Sequence, residues 1–170
     1  WYLSSNIANN KNLNKQLLPE LGIKGVPKVL KNTAFPFNYN DFSQLEKIIK
    51  KHNIGVIKME IFRNIPPKNN FLKKIRTLSN KKKIILIFDE CTSGFRENFG
   101  GLHLKYGVEP DIAIFGKALG NGHAITAVIG KKKIMDYARD SFISSTFWTE
   151  RSGPVAALKT LEIMEKTKPW

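Results

Sequence analysis

The 170-residue sequence has a single cysteine, few acidic side chains and no long hydrophobic run. Because Cys91 has no second cysteine to pair with, an internal disulfide and a zinc site built from several cysteines are both excluded. The longest purely apolar run, Ile84 to Phe88, is far shorter than the roughly twenty residues that span a membrane as a helix. No signal-peptide pattern is visible. We therefore expect a cytoplasmic protein without a membrane partner.

The shortage of acidic residues leaves a formal net charge of +14, from 28 basic and 14 acidic side chains. Clustered lysine and arginine would suit a nucleic-acid partner, since they neutralise phosphates and release counterions. Here the lysines occur in small scattered groups and are not interleaved with aromatic residues that stack on bases. We favour a solvated lysine-rich surface and no nucleic-acid partner. A basic nucleotide- or nucleic-acid-binding domain remains a distant alternative.

Segments with helical and strand periodicity alternate along the chain after a polar loop at about residues 4–16. Strands that are apolar on both faces and alternate with helices indicate an α/β fold, with a mostly parallel sheet and helices on both faces. The last connection between strands is too short for a parallel crossover and predicts an antiparallel neighbour. The patterns predict helices at about 42–51, 71–78, 132–139 and 153–166, and strands at 56–60, 84–88, 112–115 and 126–129.

A carboxylate and an amine each follow a buried strand. Asp89 closes the apolar run that begins at Ile84, and Lys117 comes just after the strand Ile112 to Phe115. In an open parallel sheet, functional groups gather beyond the carboxyl ends of the strands. Such a pair suits pyridoxal 5'-phosphate, because the amine can form a Schiff base with the aldehyde and the carboxylate can keep the ring nitrogen protonated.

The run ending in Asp89-Glu90 also fits the magnesium-binding strand of nucleotide hydrolases. That interpretation needs a phosphate loop of the form G-x-x-x-x-G-K-[ST]. Gly116-Lys117 is followed by alanine and comes after the acidic pair, so we disfavour a hydrolase. The three histidines are too scattered to predict a metal site: His52, His103 and His123.

Asp89 and Lys117 lie in two long motifs, Ile87-Phe-Asp-Glu-Cys-Thr-Ser-Gly-Phe-Arg96 and Pro110-Asp-Ile-Ala-Ile-Phe-Gly-Lys-Ala-Leu-Gly-Asn-Gly122. Both motifs resemble the class III pyridoxal-phosphate aminotransferases, above all their glutamate-1-semialdehyde aminomutase-like branch. The resemblance runs from about residue 35 to 165 and implies the large domain of a fold-type-I enzyme, a three-layer α/β/α structure. Further segments that resemble this branch are Asn38-Tyr-Asn-Asp41, Met59-Glu60 and Ser145-Thr-Phe-Trp-Thr-Glu150.

The resemblance assigns roles to four residues. It makes Lys117 the Schiff-base lysine and Asp89 the partner of the ring nitrogen. Cys91 would lie against one face of the ring, where the family usually has a small aliphatic residue. Thr146 resembles the threonine that binds the cofactor phosphate of the neighbouring subunit, with Thr149 a weaker candidate. This role implies a homodimer with shared active sites.

The resemblance also implies that residues 1–170 are the central part of the large domain. The family's phosphate loop and ring-stacking aromatic would precede Trp1, and its small C-terminal domain would follow Trp170. We therefore expect this fragment alone to bind cofactor poorly and to be inactive. Glu60 is expected to line the pocket or to support the residues that do. Arg96 either reaches a substrate or phosphate group or is an ordinary exposed loop arginine.

The function implied is an aminotransferase that moves an amino group between a small-molecule amine or amino acid and a carbonyl acceptor. Intramolecular transfer by a glutamate-1-semialdehyde 2,1-aminomutase is the alternative, since it would use the same residues. The sequence leaves the donor and the acceptor undetermined.

Overall fold

The computed structural model describes residues 27, 29, 33–62 and 64–170. The loop expected at residues 4–16 lies outside them. The chain divides into two compact units, Trp1–Asn53 and Ile54–Trp170. None of the helices in the described ranges combines the length and the apolar character that crossing a membrane requires.

The first unit contains helix α1, Phe42–Lys51. Its N-cap is Asp41, whose side chain accepts a 2.9 Å hydrogen bond from the Gln44 amide. This bond satisfies one of the amides that a helix start leaves without a partner. Lys50 and Lys51 lie in the last turn, where positive charge favours the helix dipole.

The second unit is built on a four-stranded sheet in the order β1-β2-β3-β4. The first three strands are parallel, and β4 runs antiparallel to β3. The α/β class, the mostly parallel sheet and the antiparallel last strand are all confirmed. The strands are β1 (Val56–Glu60), β2 (Ile85–Asp89), β3 (Ile112–Phe115) and β4 (Ala127–Gly130).

The helices expected at 71–78 and 153–166 are present, whereas the short helix His103–Tyr106 was not expected. The helix expected at 132–139 is a single α-helical turn followed by a 3₁₀ segment, Asp136–Asp140. Another 3₁₀ turn, Lys117–Leu119, follows β3 directly. The α-helices are α2 (Phe71–Lys82), α3 (His103–Tyr106), α4 (Lys132–Met135) and α5 (Ser152–Thr167).

Buried and more exposed residues alternate along the strands, so the sheet has an apolar face and a more polar one. The register pairs Met59 with Phe88 and Phe88 with Ala113, and all three are buried. On the same face, α5 contributes Ala157 to a buried cluster with Ala113, Phe115 and Leu119. The side chains of Lys58, Glu60 and Asp89 belong to the opposite face, because each is one position away from a buried neighbour.

Candidate functional site

Asp89 ends β2 as an ionised carboxylate held from two sides. Its Oδ2 accepts a 2.7 Å hydrogen bond from Lys58 Nζ, and its Oδ1 accepts a 3.2 Å bond from the Cys91 amide. Burial by itself would raise the pKa of Asp89, but the bonds from Lys58 and Cys91 outweigh it and hold the pKa below the usual 3.8. The side chain keeps 23% of its surface exposed. A negative charge is therefore fixed at the strand end and is accessible from outside.

Lys117 begins the 3₁₀ turn after β3 with φ of 44°, in the left-handed region. This conformation costs a residue with a side chain about 1–2 kcal/mol. Buried Leu119 anchors the same turn. Such strain persists only where the surroundings impose it, and it is frequent at functional sites. The residue with this strained backbone, Lys117, is exposed.

The Lys117 amine points toward the turn after β2. Its Nζ donates a 2.7 Å hydrogen bond to Thr92 Oγ1. Thr92 is three residues after Asp89 and is therefore part of the same strand-to-loop connection. This hydrogen bond connects Lys117, which follows β3, to the turn that follows Asp89 at the end of β2.

Cys91 lies among these charged groups and is half-buried. Burial raises the pKa of the Cys91 thiol, the Asp89 charge raises it further, and Lys117 and Lys58 partly counteract this rise. The thiol therefore stays protonated at neutral pH. A β-carbon placed on Gly116 would come within 3.3 Å of Cys91 Sγ, so the two strand ends pack closely here.

The loop after β2 is held by the fully buried Glu90. Its carboxylate accepts hydrogen bonds from the amides of Leu102 and His103, at 3.1 and 2.9 Å, and it contacts His103 Nδ1 at 2.8 Å. The Ser93 hydroxyl donates a further short bond to it. Burial would raise the pKa of Glu90, but the bonds from His103 and Ser93 outweigh it, so the pKa lies below 4.5. This cluster fixes the loop that carries Cys91 and Thr92.

Arg96 lies in the same loop and donates a 2.7 Å hydrogen bond from Nε to the Thr92 carbonyl. Arg96, Lys117 and Asn121 border a surface depression of about 590 Å³. Asp89 is not among its lining residues. The depression therefore places a guanidinium and an amide group beside Lys117, and it does not include the Asp89 carboxylate.

Thr146 lies in an exposed turn at residues 146–149. Within the part of the chain that the structure describes, no hydrogen bond connects it to Asp89, Cys91 or Lys117. Its role at a neighbouring subunit's phosphate stays a prediction. Among the same described residues, no group of three or more His, Cys, Asp or Glu side chains is placed to hold a metal ion.

Sequence reasoning missed Lys58, Thr92 and the partnership of Glu90 with His103. Lys58 could have been placed on this face from the sequence, because it is two residues before Glu60 on a predicted strand and therefore lies on the same side. His103 had none, since it is thirteen residues from Glu90 and the loop between them has no regular period.

The second unit is thus an α/β domain with a carboxylate and an amine at the carboxyl ends of adjacent parallel strands, which is where open α/β sheets bind their ligands. The model of the family "Aminotransferase class-III" matches residues 63–169. The chain belongs to that family.

Similar proteins include the 3-aminobutyryl-CoA aminotransferase of Cloacimonas acidaminovorans (strain Evry), which is 39% identical over 153 residues, covering 85% of this chain and 37% of that protein. The glutamate-1-semialdehyde 2,1-aminomutase of Nitrosopumilus maritimus (strain SCM1) is 39% identical over 152 residues, covering 85% of this chain and 36% of its own length. This chain therefore spans little more than a third of the relatives that it matches.

Among solved structures, the PLP internal aldimine form of the FumI protein from Sphingopyxis sp. MTA144 is similar with a TM-score of 0.79 and 28% identity. The similarity covers 84% of this chain and 36% of that one. The α/β fold of this chain is thus that of fold-type-I transaminases.

Proposed function

We propose that this chain is the cofactor-binding part of a pyridoxal-phosphate-dependent aminotransferase, which moves an amino group between an amine donor and a carbonyl acceptor. The observation that carries the proposal is the junction of two strand ends, in which Lys117 is hydrogen-bonded to the turn that follows Asp89. The proposal is supported by membership of the class-III aminotransferase family and by similarity to FumI in its PLP internal aldimine form.

The residues at the junction fit this cofactor by their chemistry. Asp89 offers an ionised carboxylate for a ring nitrogen, and Lys117 offers an exposed amine for an aldehyde. The half-buried, protonated Cys91 lies between them as a small, weakly polar surface. When bound, pyridoxal phosphate supplies an electron sink for the carbon that loses or gains the amino group.

Each side chain then has a task that follows from its position. Asp89 would supply a negative charge for the ring nitrogen. Lys117 Nζ would take up and return the proton of the reacting carbon as a general base and acid. Thr92 directs Nζ by accepting its hydrogen bond, and Glu90 holds the loop that positions Thr92.

Intramolecular amino transfer is the second candidate. It is favoured by the glutamate-1-semialdehyde 2,1-aminomutase that is 39% identical to this chain. The chemistry at Lys117 and Asp89 is the same for both reactions. The difference lies in whether the aminated product leaves or is converted in place.

The remaining features of the proposal come from the family. Residues 1–170 would be the central part of the large domain, in a cytoplasmic homodimer with shared sites. Thr146 would bind the cofactor phosphate of the neighbouring subunit. Its exposure in a turn is compatible with a contact to another chain.

The proposal is tested by adding pyridoxal 5'-phosphate to the complete protein that carries this chain. We expect visible absorption from lysine-attached cofactor in the wild type and in Lys73→Ala, which removes an exposed lysine on α2. Lys117→Ala should abolish it. Absorption that is absent from the wild type, or that survives in Lys117→Ala, would overturn the proposal. Assays with glutamate-1-semialdehyde alone and with separate donors and acceptors would distinguish the two reactions.

A further inference from the structure

Lys58 extends from the middle of β1 to the carboxylate at the end of β2. The register pairs Lys58 with Ile87, so the side chain must reach along the sheet toward Asp89. Asp89 is two residues after Ile87, the register partner of Lys58. Because side chains alternate between the two faces of a sheet, Lys58 and Asp89 lie on the same face. The result is a 2.7 Å ion pair between Lys58 Nζ and Asp89 Oδ2.

This ion pair leaves neither oxygen of Asp89 without a partner. Oδ1 accepts the Cys91 amide, and Oδ2 accepts the lysine ammonium. A carboxylate has about four lone-pair positions, so a further N–H donor can still bind. Any such donor, however, meets a carboxylate whose charge is already balanced by a cation.

We propose that Lys58 acts through Asp89 as a positioning and charge-balancing residue, which weakens the hold of that carboxylate on the protonated ring nitrogen of pyridoxal phosphate. The inference rests on the proposed function, because it takes Asp89 as the partner of the ring nitrogen. Through the protonation of the ring nitrogen, Lys58 then affects how strongly the cofactor ring withdraws electrons.

The physical argument is one of competing positive charges. A protonated ring nitrogen beside Asp89 is attracted by the carboxylate and repelled by the ammonium of Lys58. The ammonium therefore lowers the pKa of the ring nitrogen relative to a site that contains Asp89 alone. Since 55% of the Lys58 side chain is exposed, solvent screens much of this effect. We expect a roughly three- to tenfold shift in the protonation equilibrium.

The test uses the complete protein loaded with pyridoxal phosphate that carries ¹⁵N in the ring. The ¹⁵N chemical shift followed against pH gives the protonation state of the ring nitrogen without reference to activity. We expect Lys58→Met to raise the pKa of the ring nitrogen and Lys58→Arg to leave it close to wild type, because arginine keeps the positive charge.

Lys105→Met is the matched control. Lys105 is 57% exposed and forms a 2.8 Å ion pair with Glu97, so its replacement removes the same charge and a similar pair elsewhere. We expect this variant to titrate like the wild type. If Lys58→Met does the same, or if Lys105→Met shifts the ring nitrogen as far as Lys58→Met, the role of Lys58 is overturned.

The outcomes also separate this inference from the proposed function. Failure of the wild type to bind the cofactor through Lys117 would refute the function itself. Normal cofactor binding through Lys117, together with a ring-nitrogen titration that is indifferent to Lys58, would refute only the role of Lys58.

Discussion

Lys117 Nζ donates a 2.7 Å hydrogen bond to Thr92 Oγ1 and thereby joins the end of β3 to the turn after β2. The amine is exposed and its backbone is strained. One hydroxyl therefore sets the direction in which a flexible side chain presents its reactive nitrogen.

Thr92→Val removes the hydroxyl and keeps the side-chain shape. We expect pyridoxal phosphate to attach to Lys117 about fivefold more slowly, because a hydrogen bond worth about 1 kcal/mol no longer orients the amine. Stopped-flow absorbance measures the rate constant, and Thr92→Ser serves as control because serine keeps the hydroxyl. Equal rates in the valine and serine variants would show that Thr92 has no such role.

Glu90→Ala tests the loop cluster. The substitution leaves the amides of Leu102 and His103 buried without their acceptor. We expect the free energy of unfolding to fall by about 2–5 kcal/mol, since each buried donor without a partner costs about 1–3 kcal/mol. Urea denaturation measures the change. Glu97→Ala, at a half-exposed side chain of the same loop, should cost less than about 1 kcal/mol. Similar losses in the two variants would contradict a special role for Glu90.

Asp111 is a second buried junction. Its Oδ2 accepts the Leu86 amide at 2.8 Å and an Arg76 bond at 3.0 Å, while Oδ1 accepts Lys131 at 2.7 Å. We expect Asp111→Ala to destabilise the fold by about 3 kcal/mol, since the buried Leu86 amide and the largely covered Arg76 guanidinium lose their partner. The control Asp136→Ala removes an exposed partner of Lys132 and should change stability by less than about 0.5 kcal/mol. Denaturation curves of equal midpoint for the two variants would be the contrary result.

Acid should weaken the fold through the same two carboxylates. Burial raises the pKa of Glu90 and of Asp111, but hydrogen bonds outweigh it, so both lie below their ordinary values of 4.5 and 3.8. A lowered pKa means that the unfolded chain binds protons first. The stabilisation is therefore complete above the ordinary values and is lost as pH falls through the lower folded-state values.

The measurement is urea denaturation at pH values between about 6 and 3. We expect the wild type to lose stability steeply on the acid side of this range. Glu90→Gln, which cannot titrate, should start from a lower stability and lose less of it on acidification. A slope unchanged by this substitution would show that Glu90 does not contribute to the acid sensitivity.

Much of the fold was predictable from sequence. Continuous apolar runs predict β2 and β3, because strands of a parallel sheet carry apolar residues on both faces. In the structure, fully buried residues alternate with half-buried isoleucines along both strands. The short link before β4 predicts its antiparallel direction. The helix expected at 132–139 was predicted too long, because Lys132–Met135 has no buried residue and only one turn remains α-helical before the 3₁₀ segment begins.

The sequence by itself determined the strand ends, the carboxylate Asp89 and the amine Lys117, because local periodicity and the motifs around them are written in neighbouring residues. Only the tertiary structure decided what those two groups contact. Lys58 binds Asp89 from the neighbouring strand. Lys117 donates to Thr92 in a different turn. His103 contacts Glu90 although thirteen residues separate them. Such pairings depend on strand register and loop path, which arise when the sheet assembles and leave no periodic signal along the chain.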